Sequence, residues 1–294
     1  MTAADFWPLC ILFNGTPDGC GSCKSGPAAV LQEKSAEVRA ICFCEGGGSI
    51  IERDEIREAL VSILYPRRCP VCGRIVRPEE GKMHAACRGK LIPVREPKCL
   101  RCGKPLTERE EEYCYDCSSK PFSYRQGFSL WVYNRTASQM MSAFKYKGRQ
   151  EYAACFGEEF VRRYERELRR IRPQALIPVP VHSSKKRLRG YNQAELLARE
   201  ISRRTGIPVI TDLLIRSRKT EPQKNLNDRE RLLNLLQAFS IDKERAKKYS
   251  GCRKILLVDD IYTTGSTMEA CTKALLAAGM TEVYCASVCI GNGF

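Results

Sequence analysis

The chain has 294 residues, 43% of them hydrophobic, and a formal charge of +15 with a pI near 9.2. That length holds one sizeable α/β domain and a smaller unit, while the charge is compatible with a nucleic acid, a polyphosphate ligand or a solvated basic surface and does not choose among them. No run approaches the roughly 18 to 20 uncharged apolar residues of a membrane span, and the N-terminus lacks a basic region followed by an apolar core, so a cytoplasmic protein is expected.

Residues 1–50 carry Gly15, Gly19, Gly21, Gly26 and Gly46 to Gly48 without a sustained hydrophobic period, which predicts a disordered extension. Its pairs CGSC (20–23) and CFC (42–44) are weak metal candidates beside that reading. Ile56, Leu60, Ile63 and Leu64 fall at helical spacing and predict an amphipathic helix over 52–64 that Pro66 ends. That helix and the module after it form the expected unit 51–120.

Seventeen cysteines are present, and seven of them lie between Cys69 and Cys117, a clustering that favours metal over disulfides. CPVCGRIVRPEEGKMHAAC (69–87) aligns with CLRCGKPLTEREEEYCYDC (99–117) as an internal repeat. The first copy offers Cys69, Cys72, His84 and Cys87, and the second Cys99, Cys102, Cys114 and Cys117, with eleven residues between the pairs in each. Four soft donors with two on one CxxC turn suit a tetrahedral zinc ion, and Gly73 and Gly103 let the turn close. Two structural zinc ions are expected, because no coordination position is left for water or substrate. Sequential zinc ribbons are the first choice and cross-braced sharing the alternative. Deaminase-type chemistry is excluded, since it needs a glutamate in an HxE arrangement and Ala85 and Ala86 follow His84. Cys155, Cys252, Cys271, Cys285 and Cys289 lie in apolar or helical surroundings and read as small hydrophobes.

From 121 to 294 strands alternate with helices, which predicts a parallel sheet flanked by helices. The expected elements are the strand FSLWVY, helices over 137–144 and 155–171, the strand ALIPVP, a helix over 193–205, a short strand at Val209 and Ile210, the strand KILLVD, a helix over 267–278 and the strand EVYCASVCI. Gly206 and Gly279 stand where helix C-caps are expected. The loop from Val181 to Asn192 follows the first core strand, at the carboxyl edge where ligands of open α/β sheets collect. It carries Lys185, Lys186, Arg187, Arg189 and Gly190, an anion site or else a solvated basic turn. The run from Arg216 to Arg231 sets six basic residues against Glu221, Asp228 and Glu230, a net of +3.

The run KILLVDDIYTTGSTMEACTKALLAAG passes from an apolar strand through two carboxylates and a hydroxyl-rich turn into an amphipathic helix. Gly265 permits close backbone approach, and Thr263, Thr264, Ser266 and Thr267 at a helix N-terminus suit a phosphate dianion. Asp259 and Asp260 beside a phosphate make sense where the ligand also presents vicinal hydroxyls and a magnesium ion bridging to pyrophosphate. A ribose 5-phosphate meets both demands.

This string resembles the 5-phosphoribosyl-1-pyrophosphate (PRPP) motif of type I phosphoribosyltransferases. The resemblance implies that Asp259 and Asp260 contact the ribose hydroxyls and that Thr263 to Thr267 bind the 5-phosphate. It also makes 181–192 the pyrophosphate loop, and 216–231 the hood that closes over the transition state, with Lys219, Lys224 and Arg229 as its candidate cations. With AFKYKGR (143–149), RGYNQ (189–193) and KTEPQ (219–223), the chain over about 66–290 is similar to ComF proteins, where His84 replaces a usual cysteine. Members of that family carry a phosphoribosyltransferase-like domain and an N-terminal zinc element, and are associated with DNA uptake in natural transformation.

The resemblance implies a PRPP-binding protein that acts with competence proteins and single-stranded DNA. Tyr146, Tyr191 and Trp131 are candidates for base stacking and equally for the core, with core favoured for Trp131. An active phosphoribosyltransferase of base salvage and a non-catalytic PRPP-sensing regulator are the alternatives. No catalytic side chain is assigned, because positioning, magnesium and cations suffice for departure of pyrophosphate.

Overall fold

A computed structural model describes residues 66–216 and 238–291, together with short strand segments at 33–34, 37–38, 40–41 and 50–51. Contacts divide the chain into Met1–Pro66 and Arg67–Phe294. In the first unit Glu33–Lys34 pairs antiparallel with Glu37–Val38, and Ala40–Ile41 with Ile50–Ile51. The helix expected over 52–64, the CGSC and CFC pairs, and Lys219, Lys224 and Arg229 lie outside the described residues.

The second unit opens with two knuckles built alike. The Gly73 amide donates to Cys69 O at 2.8 Å and the Gly103 amide to Cys99 O at 2.9 Å, both glycines having positive φ, 72° and 77°. Arg68 bridges Ile75 and Lys98 bridges Pro105, each antiparallel. A short helix follows in each copy, α1 (Ala85–Arg88) and α2 (Tyr115–Ser119), with His84 and Cys114 at the equivalent N-cap positions.

The elements after the module are β1 (Gly127–Val132), α3 (Arg135–Tyr146), α4 (Tyr152–Ile171), β2 (Ala175–Pro178), α5 (Ser183–Arg189) and α6 (Gln193–Thr205). Then come β3 (Leu214–Arg216), β4 (Phe239–Ile241), α7 (Lys243–Lys248), β5 (Lys254–Tyr262), α8 (Ser266–Ala277) and β6 (Glu282–Ile290). Four strands form one parallel sheet in the order β1-β6-β5-β2, and β3 pairs antiparallel with β4. Side chains alternate between two cores, as a sheet covered on both faces requires. Leu256, Val258, Ala286 and Val288 face α3, α4 and α6 through Phe144, Phe156, Phe160 and Leu197. Ile255, Leu257, Val283 and Cys285 face α8 and the β3–β4 pair through Met268, Cys271, Leu275 and Phe239.

The two cysteine repeats divide between these cores. Val76 and Met83 of the first copy, with Leu91 just after it, join the core on the α4 side, and Leu106 of the second joins the core on the α8 side. The linker between them lies against edge strand β1, where the Val94 amide donates to Leu130 O at 3.0 Å and the Val132 amide to Ile92 O at 2.8 Å. Two of the backbone groups that an edge strand leaves open, Leu130 O and the Val132 amide, are thereby paired.

Three local expectations are corrected. The basic segment read as a loop from Val181 to Asn192 contains helix α5, which His182 caps by accepting from the Ser184 amide and Gly190 ends at φ 82°. The strand at Val209 and Ile210 is a single parallel bridge from Val209 to Leu176. Strand β5 runs past the expected KILLVD to Tyr262, so Asp260 lies within it as well as Asp259, held by pairing of Asp259 with Ser287 and Tyr262 with Ile290.

Candidate functional site

The ligand atoms of Cys69, Cys72, His84 and Cys87 lie within 4.8 Å of one another, as do those of Cys99, Cys102, Cys114 and Cys117. The grouping is sequential, one site per repeat, and not cross-braced. The Cys102 and Cys114 sulfurs are 3.6 Å apart; two thiolates on one tetrahedral zinc with bonds of about 2.3 Å are separated by about 3.8 Å, so the donors fit the ion. His84 points Nδ1 at the Cys72 sulfur, 3.4 Å away, while Nε2 lies 3.1 Å from Ile75 O. A proton on Nε2 donated to that carbonyl leaves Nδ1 free to ligate, the outer contact typical of metal-bound imidazoles. In the second site the Cys102 and Lys104 amides face the Cys99 and Cys102 sulfurs at 3.5 Å, and buried Lys104 pairs with Asp116 at 2.6 Å. An ammonium there offsets the excess negative charge of four thiolates. Zinc in these sites is structural, since protein donors fill four positions in each.

At the carboxyl end of β5 the chain leaves the sheet after Tyr262, turns through exposed Thr263 and Thr264, and enters α8. Gly265 occupies the N-cap at φ 80°, and no side chain caps the helix. The first-turn amides therefore keep no capping side-chain acceptor, which leaves them to an anion. Thr264 Oγ1 and Ser266 Oγ are 3.0 Å apart on the rim of this turn.

Asp260 is buried and its carboxylate meets Lys145 Nζ at 2.9 Å. Asp259, half-buried, accepts the Asp260 amide at 2.8 Å. Burial first, and then the Asp260 charge, push the Asp259 carboxyl up to about 7. Lys145, at the end of α3, brings positive charge to the acid pair from the AFKYKGR segment. Sequence reasoning did not assign it, because a lysine on an amphipathic helix reads as solvated face.

Helix α5 lies beside this site. Lys185, Lys186 and Arg187 are exposed, and Arg189 stacks on the Tyr146 ring at 4.8 Å while donating to its hydroxyl at 3.1 Å. Partial desolvation, followed by the like charges of Arg216 and Arg189, holds the Lys185 ammonium below its ordinary value. Cations gathered against their mutual repulsion form a field that an anion would relieve. Tyr146 is 65% exposed, but Trp131 and Tyr191 are buried, and the Tyr191 hydroxyl donates to Phe144 O, so neither is open to a stacked base. Cys155, Cys271, Cys285 and Cys289 are buried, with thiols that burial raises, as packed hydrophobes require. Among the described residues no helix is long and apolar enough to cross a membrane.

Comparison with known proteins matches two separate stretches of the chain. Residues 60–118 match a double zinc ribbon domain and residues 190–293 a phosphoribosyl transferase domain. Over 211 residues the chain is 30% identical to competence protein F of Haemophilus influenzae, covering 69% of this chain and 91% of that one. Competence protein ComFC of Bacillus subtilis is 28% identical over 214 residues, 70% of this chain and 82% of its own. The DNA utilization protein YhgH of Escherichia coli K12 is 27% identical over 222 residues, 74% and 88% of the two chains.

Proposed function

The chain belongs to the ComF family, and from that premise we propose that it is a PRPP-binding protein of the phosphoribosyltransferase type that serves DNA uptake. The observation that carries the PRPP assignment is the juxtaposition at the end of β5. An uncapped α8 N-terminus with Gly265 in the left-handed region adjoins two acids, one neutralised by Lys145, and a cationic helix α5. In this reading Thr263, Thr264, Gly265, Ser266 and Thr267 take the 5-phosphate, Asp259 and Asp260 the ribose hydroxyls, and Lys185, Lys186, Arg187, Arg189 and Gly190 the pyrophosphate with magnesium.

Calorimetric titration with PRPP and magnesium tests it. Binding to the wild type that is lost in the Asp259→Asn, Asp260→Asn double variant supports the assignment; a wild type that takes up no PRPP overturns it. Pyrophosphate release across candidate bases then separates a salvage transferase from a PRPP sensor.

The role in DNA uptake rests on the competence and DNA utilization names of the relatives. We assign contact with single-stranded DNA to the basic surface that includes α5 and Tyr146. An oligonucleotide titration whose affinity falls with salt is the expected result, and an affinity independent of ionic strength removes phosphate contacts from the account. The cytoplasmic location belongs to the same proposal, supported by thiols poised for zinc, which a reducing compartment keeps available.

A further inference from the structure

The segment Phe122 to Tyr124, which leaves the second ribbon for β1, grips the phosphate turn from below. Ser123 donates twice to Glu269 in the first turn of α8, from its amide and its hydroxyl, each at 2.7 Å. Glu269 is 2% exposed. The Tyr124 and Tyr262 hydroxyls, both buried, are 2.7 Å apart, and Phe122 stacks on Tyr124 with ring centroids at 5.3 Å. Gly265 rests on this group: a Cβ there would fall on the Tyr262 hydroxyl and lie 3.1 Å from the Phe122 ring.

The grip is tied in turn to the metal knuckle. Arg101, inside the CxxC turn, donates through one guanidinium nitrogen to Phe122 O and to Tyr124 O. Its own carbonyl accepts the Gly127 amide at 2.7 Å, and a Cβ on Gly127 would stand 2.7 Å from Cys102 O. The knuckle and the chain that grips the turn are thus in backbone contact. The first ribbon reaches different partners, Lys82 pairing with Glu158 and Arg88 with Glu159 on α4.

We infer that the second zinc ribbon positions the phosphate turn. Ser123, Tyr124 and Arg101 are positioning residues that transmit the geometry of the Cys99–Cys117 site to Gly265 through Glu269 and Tyr262. Metal in that site, and not in the Cys69–Cys87 site, is then required for a phosphomonoester to bind. The inference rests on the reading that the turn takes a sugar 5-phosphate.

The test uses the full chain and two probes, ribose 5-phosphate and magnesium pyrophosphate, with zinc content measured on the same samples. Ser123→Ala and Tyr124→Phe retain the zinc ligands; each is expected to weaken ribose 5-phosphate binding about tenfold and to leave magnesium pyrophosphate binding and zinc content unchanged. A general loss of folding would lower both affinities together. Cys114→Ser is expected to lose one zinc and ribose 5-phosphate binding, while His84→Ala loses one zinc and keeps that binding. Unchanged ribose 5-phosphate affinity in Ser123→Ala, Tyr124→Phe and Cys114→Ser, with a wild type that binds, overturns the coupling and spares the site. Equal loss in His84→Ala overturns its restriction to the second ribbon. A wild type that binds pyrophosphate but no ribose 5-phosphate overturns the reading of the turn, and the coupling with it.

Discussion

Asp259 differs from its neighbour in what burial leaves it. Lys145 compensates Asp260, whereas Asp259 sits half-buried next to a negative charge, which raises its carboxyl to about 7 from an ordinary 3.8. Between those values the unfolded chain has released this proton and the folded chain has not, so the group costs stability progressively as pH rises from about 4 to about 7. A ligand whose hydroxyls donate to the carboxylate needs the ionised form and offsets that cost. PRPP affinity is therefore expected to rise by up to about tenfold per pH unit below 7 and to level off above it, with a proton released on binding. Calorimetry at pH 6 and pH 8, in two buffers of different ionisation enthalpy, reads both quantities. In Asp259→Asn the proton release assigned to this residue should vanish. A wild-type binding enthalpy independent of buffer at pH 6 would remove Asp259 as the linked group.

At the scale of elements, boundaries were legible where a local signal and the tertiary demand agreed. Helix α6 begins after Asn192, whose side chain accepts the Ala194 amide, and ends at φ 72° on Gly206, the glycine expected as its C-cap. The two sets of ligand candidates were legible because a repeat fixes spacing and spacing fixes the knuckle. Helix α5 was not, because SSKKRLR has no apolar period and leaves Leu188 81% exposed. The turn after β5 was visible as a string, but its underside was not. Ser123 and Glu269 stand 146 residues apart, and no local pattern pairs a serine after a cysteine module with a glutamate on an amphipathic helix. That underside makes Gly265→Ala informative. The left-handed backbone alone costs about 1 to 2 kcal/mol for a residue with a Cβ, and the nearest atom the new methyl meets is the Tyr262 hydroxyl. The variant should melt several degrees lower and lose PRPP binding, and the penalty should shrink in a Tyr262→Phe background, where that nearest atom is gone. Equal penalties in both backgrounds would show that the backbone and the rings of residue 262 and Phe122, and not the Tyr262 hydroxyl, set the cost.

For the whole molecule, the zinc module closes the sheet as well as serving the site. Strand β1 is an edge strand, and its outer groups at Leu130 and Val132 are met by Val94 and Ile92 from the linker between the ribbons. Arg163 on α4 donates to Val94 O and holds that linker in place. Each ribbon is too small to bury a core of its own, so its folding depends on metal. Stripping zinc should release the linker from both ends and expose β1 while leaving interior strands paired. Hydrogen exchange of the intact chain, before and after chelation, reads this directly. Peptides covering 128–132 should lose at least about tenfold in protection, and those covering 283–289 in β6, which keeps β1 and β5 on its two sides, should change little. The uncovered edge is a template for pairing with another chain, so the chelated protein should also associate with rising concentration. Protection lost equally in β1 and β6 would mean that metal supports the whole sheet; protection lost in neither would mean that the linker holds β1 without the ribbons.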